Sequence, residues 1–144
     1  MRAPIIWVRN VWERVTEPRH LKTFYLAVYV VTIGVGLVTL VNPPSSIEGP
    51  LGSFLTAFWA LLLTTGGVGA ALSVLPGWWW VERLSVWLII SGAGIYAAII
   101  FGIQLAAPPG SSRWTQIGFV ALATGIFFLR LLLTRKWDYE PRRE

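Results

Sequence analysis

The apolar residues of this chain fall into four long runs separated by short polar or turn-forming breaks. The first run covers about 23–41 and stops at Asn42-Pro43-Pro44; the second covers 51–75 and stops at Pro76-Gly77. The third covers 84–107 and stops at Pro108-Pro109-Gly110; the fourth covers 115–133 and gives way to Thr134-Arg135-Lys136. Crossing a bilayer core about 30 Å thick takes roughly 20 helical residues, so every run is long enough to span it. No run contains an internal proline, and each break holds Pro, Gly or charge, the residues that end such helices. The pattern predicts an all-α fold, a four-helix transmembrane bundle.

A different periodicity precedes the first run. Within residues 4–16, Ile5, Val8, Val11, Trp12 and Val15 gather on one side of a helix, with Arg9 and Arg14 flanking that arc. Pro18 ends the segment. Residues 1–22 are therefore expected to form a cytoplasmic amphipathic helix, either lying in the headgroup layer or packed on the end of the bundle. The region is too long and too charged for a cleaved signal peptide, and no small-residue cleavage site follows the first run. Residues 134–144 form a basic cytoplasmic tail.

Composition supports the membrane assignment. Apolar types make up 55% of the 144 residues and charged types 13%, against roughly 25% charged in soluble domains. The net charge of +5 does not read as a nucleic-acid surface, because the basic residues flank apolar runs. With both termini cytoplasmic, eleven of the twelve Lys and Arg residues fall inside and only Arg113 outside. Basic residues resist translocation, so the predicted topology is N-in and C-in. Tryptophan favours the interface, where Trp12, Trp78, Trp79, Trp80, Trp114 and Trp137 are expected as anchors. The Trp78–Trp80 triplet has a second reading, an aromatic site for lipid or a partner.

Helices in lipid associate where small residues let backbones approach. The third run carries the longest such stripe, Gly94, Ala98, Gly102 and Ala106; the second carries Thr65, Gly69 and Ser73 beside Gly66-Ala70 and Gly67-Ala71, the fourth Ala121-Gly125 and the first only Thr32-Gly36. These are the candidate packing residues, and the hairpin of spans two and three is the expected packing nucleus. The partner face can belong to the same chain or to another copy.

A search for chemistry finds little. The chain has no Cys and one His, which excludes thiolate and multi-imidazole metal sites. Only Arg130 is ionisable within a span, three residues from its end, where snorkelling to the interface accounts for it. Glu82 suits the first turn of helix three, and Ser45 and Glu48 have capping-box spacing. Gln104 can bond a neighbouring helix or reach headgroups, and His20 reads as a surface residue. Thr64-Thr65-Gly66-Gly67-Val68-Gly69 is glycine-rich at mid-membrane depth, where helix packing explains it. No catalytic, cofactor-binding or metal-binding residue is assigned, and the chain is not expected to be an enzyme.

These features leave three function classes: a membrane-permeabilising protein that oligomerises, a non-catalytic adaptor or exclusion factor, and a transporter or membrane enzyme. The last needs polar groups at depth and ranks lowest. A wide aqueous pore also wants a polar helix face, which is missing. The segments Pro43-Pro44-Ser45-Ser46-Ile47-Glu48-Gly49, Leu75-Pro76-Gly77-Trp78-Trp79-Trp80-Val81-Glu82-Arg83 and Arg113-Trp114-Thr115-Gln116-Ile117-Gly118-Phe119 resemble those of small four-span membrane proteins of actinobacterial phages. That resemblance implies a multi-pass protein of the bacterial cytoplasmic (inner) membrane with a holin-like or lysis-associated role, and it supplies no catalytic residues. The alternative is a membrane adaptor or superinfection-exclusion factor. The expected partners are the lipid bilayer, further copies of the chain, or another membrane protein, and not nucleic acid.

Overall fold

The computed structural model describes residues 19–108, 110 and 112–134. The amphipathic segment with Trp12 and the basic tail with Trp137 lie outside the described residues. Four helices follow one another: α1 Arg19–Val41, α2 Ser45–Val74, α3 Trp79–Leu105 and α4 Trp114–Leu133. No strand occurs among the described residues. Each helix contains a stretch long and apolar enough to cross a membrane: His20–Val41, Gly52–Val74, Trp79–Leu105 and Trp114–Leu133. The protein is an all-α, multi-pass membrane bundle.

Short connections force consecutive helices to run antiparallel. One end of the bundle therefore collects the start of α1, the α2–α3 turn and the end of α4. This is the terminal end; the two other connections meet at the opposite, hairpin end.

Three helix boundaries that differ from the sequence pattern have a local reason; α1 also begins four residues early, at Arg19. α2 begins at Ser45, but Gly52 breaks it with φ 76° and ψ 163°, so a short helical turn precedes the span. Only glycine adopts that backbone without strain. Pro44, not Ser45, is the N-cap of this turn, and no side-chain cap forms, so the Ser45–Glu48 capping box is absent. α3 starts at Trp79, which brings Trp79, Trp80 and Glu82 inside its first turn, and it ends at Leu105. Ala106 is thus its C-cap rather than a helical packing residue.

Glycines on α2 hold the bundle together. A Cβ on Gly66 would fall 2.9 Å from the Ser85 carbonyl oxygen of α3, and one on Gly67 would fall 3.2 Å from the Ile33 nitrogen of α1. These adjacent residues let α2 lie close to both neighbours, as helices in lipid require. Gly36 on α1 likewise approaches the backbone of α2 at Ala60 and Thr64, and Gly92 on α3 receives the Leu63 side chain. Hydroxyl groups in the spans are satisfied locally. Thr32, Thr39, Thr64, Thr65, Ser73 and Thr124 each donate to the carbonyl four residues earlier, the usual way to bury a hydroxyl in a helix.

α1 and α4 meet only near the terminal end, where the rings of Tyr29 and Phe127 stack at 6.4 Å. An apolar cavity of about 560 Å³ runs between them, along α1 from Phe24 to Thr39. The bundle is consequently closed along three helix pairs and open along the fourth.

Candidate functional site

The strongest polar constellation lies at the terminal end, between α1, α3 and α4. Glu82 is held there by the first turn of α3, and Arg130 by the last turn of α4. Arg130 donates from Nε to Glu82 Oε1 at 2.7 Å and from Nη2 to Glu82 Oε2 at 2.9 Å. This is the forked guanidinium–carboxylate arrangement, which adds geometric specificity to charge attraction. Tyr29 of α1 donates its hydroxyl to the same Glu82 Oε1 at 2.8 Å. The Arg130 guanidinium carbon lies 4.7 Å from the centroid of the Tyr25 ring, within cation–π range.

Burial makes the pairing obligatory. Glu82 is 0% and Arg130 1% exposed. A lone charge in such a place is strongly unfavourable, and removing one member of a buried pair costs about 3–5 kcal/mol. Lys22, three residues before Tyr25, is buried at the same end. Two buried cations thus accompany one buried carboxylate among the described residues. Thr134 completes the end of α4 by donating its hydroxyl to the Arg130 carbonyl at 2.9 Å.

Chemically, the constellation is a clamp. Both Glu82 oxygens accept from Arg130, and one accepts from Tyr29 as well. The carboxylate is committed on both sides, so general-base work would first require the clamp to open. Three helices far apart in sequence are fastened by one carboxyl group.

Arg130 does not snorkel. The sequence places Glu82 and Arg130 at the same end of the bundle, one acid and one base on antiparallel helices, and that coincidence of depth was the available signal. The aromatic partners Tyr25 and Tyr29 carried a weaker signal, since interfacial tyrosines are common.

The small-residue positions divide into two groups. Gly69 packs against the Ser85 side chain of α3, and Ser73 is fully buried, so these α2 positions serve the bundle. Thr65 is exposed and bonded to its own helix. On α3, Gly94, Ala98, Gly102 and Ala106 are all exposed. A Cβ on Gly94 or Gly102 would meet nothing within 4 Å. That stripe makes no close approach within the chain and faces outward. Besides Gly69, the glycines that pack internally are Gly36, Gly66, Gly67 and Gly92; the first three stand in every-fourth pairs of the sequence, and Gly92 does not.

Trp78 and Trp80 are well exposed at the terminal end, Trp79 is half-buried, and Trp114 is exposed at the hairpin end. Gln104 does not bridge to another span; its Oε1 accepts from the Arg113 backbone nitrogen at 2.6 Å and so fixes the α3–α4 connection. His20 is exposed.

Fold and site together define a four-span α-helical membrane protein fastened at one end by a buried ion pair. Comparison with family models, curated proteins and solved structures yields no match.

Proposed function

We propose that this chain is a non-enzymatic, phage-encoded, holin-like protein that acts by self-association in the host inner membrane. The observation that carries this reading is the outward stripe of α3, where Gly94, Ala98 and Gly102 are exposed with open space above both glycines. Small residues spaced this way admit another helix at close range. The resemblance of the connecting segments to four-span phage proteins supplies the biological setting.

Permeabilisation then arises from assembly, because Thr32, Thr39, Thr64, Thr65 and Thr124 spend their hydroxyls on their own helices. Expression of the wild-type gene in a bacterial host should collapse the membrane potential abruptly above a threshold level. Gly94→Ile with Gly102→Ile should leave insertion intact and abolish the collapse. A full-length protein that accumulates without loss of potential or release of endolysin would overturn the reading.

The local bonding of these hydroxyls also favours a second reading, a membrane adaptor or exclusion factor. Such a protein leaves the potential intact at high expression and co-purifies with a specific membrane partner.

A further inference from the structure

We infer that the open seam between α1 and α4 is a binding site for one phospholipid, with its phosphate at the hairpin end and one acyl chain between the helices. The seam is an apolar cavity of about 560 Å³. Its walls come from Val28, Val35 and Thr39 on α1 and from Val120, Ala123 and Phe127 on α4, over a floor that includes Trp59 and Tyr96. Besides the rings, polar wall atoms come from Thr32 and Thr39, whose hydroxyls are already bonded to the Val28 and Val35 carbonyls at 2.9 and 2.8 Å.

Dimensions select the occupant. The cavity follows α1 from Phe24 to Thr39, a length of about 22 Å at 1.5 Å per residue. That is ample for a chain filling one leaflet, about half of a 30 Å core.

The mouth is chemically different. A second cavity of about 600 Å³ adjoins the first and shares Tyr96 and Val120 with it. Arg113, Ser112, Thr115 and Gln116 line this second space, and none of its lining residues is acidic. Gln116 donates to the Tyr96 hydroxyl and so holds the ring at the junction of the two cavities. An apolar groove that opens into a cationic, hydroxyl-lined vestibule complements one molecule with an anionic head and an apolar tail. At the terminal end the groove is lined by Phe24, Ala27 and Phe127, which offer no charge to a headgroup.

The test uses the full-length protein in mild detergent, titrated with phosphatidylglycerol or phosphatidylethanolamine of identical acyl chains and read by native mass spectrometry. Wild type should retain one lipid per chain and prefer phosphatidylglycerol. Ala123→Phe fills the groove from an exposed position, so it should weaken retention of both lipids about tenfold. Arg113→Gln should erase the preference between headgroups while leaving a retained tail. Helical circular dichroism and melting of each variant report its folding, and Val35→Phe fills the opposite wall if Ala123→Phe fails to fold. Absence of a one-to-one lipid complex in wild type would overturn the inference. So would retention unchanged by both groove-filling variants, or a second protein chain displaced by them in place of lipid.

Discussion

Trp59 on α2 donates its indole N–H to the carbonyl oxygen of Gly92 on α3 at 2.7 Å. The same indole stacks on Tyr96, with ring centroids 5.4 Å apart. The glycine matters here because the Leu63 side chain already fills the space a Cβ would take. One tryptophan thereby sets the distance between the two central helices.

Replacing Trp59 with Phe keeps a ring on Tyr96 and loses only the hydrogen bond, so the bundle should lose about 0.5–1.5 kcal/mol. Trp59→Ala should lose about 3–5 kcal/mol by leaving a cavity. Unfolding of the detergent-solubilised protein with a denaturing surfactant measures both. Equal losses for the two variants would mean that the hydrogen bond, and not the ring, dominates.

The buried pair predicts strong coupling. Arg130→Met leaves the Glu82 carboxylate without its guanidinium and should destabilise by about 3–5 kcal/mol. Glu82→Leu should cost a similar amount by stranding the cation. The double variant should be far more stable than the sum of the single losses implies. Arg130→Lys should fall between wild type and Arg130→Met, since an ammonium lacks the fork. Additive losses in this cycle would rule out a clamp.

Glycines on opposite sides of the hairpin should respond oppositely. Gly66→Ile drives a branched side chain into the α3 backbone near Ser85 and Ile89, and the fold should be lost or severely weakened. Gly94→Ile meets open space, so the melting temperature of the isolated bundle should change little. A comparable collapse for Gly94→Ile would show that this face packs within the chain after all.

Orientation follows from the basic residues. Reporter fusions after residue 22, within 42–50, within 76–83 and after residue 136 should read inside, outside, inside and inside. The two buried cations Lys22 and Arg130 share the end assigned to the cytoplasm, in keeping with the rule that basic residues stay inside. A cytoplasmic signal from the 42–50 fusion would contradict this topology.

The number of helices was legible because proline, glycine and charge punctuate long apolar runs, and such runs span lipid as helices. The helix starts were less so. Trp79 and Trp80 read as interfacial anchors, yet they also suit a first helical turn, and that shift carries Glu82 into the bundle. The packing glycines were partly hidden because contact depends on which side of a helix a residue occupies. Gly66 and Gly67 are adjacent in sequence and serve different neighbours, a relation that single-stripe spacing does not express. Arg130 misled for an energetic reason: near a helix end, snorkelling and pairing are both open to an arginine, and only the tertiary arrangement brings the carboxylate to it.

The separation of Glu82 from Arg130, 48 positions along the chain, imposes an order on biogenesis. At about 5–20 residues per second, a ribosome needs roughly 2–10 s to add the missing cation after it has made the acid. During that interval Tyr29 is already present, while the fork that neutralises the carboxylate has not been synthesised. The three earlier helices are therefore an unfinished assembly with an uncompensated acid at its rim, and only the arrival of the last span completes it. A chain stalled before Arg130 would leave the Glu82 carboxylate without its fork, a polar difference between a truncated product and a finished one.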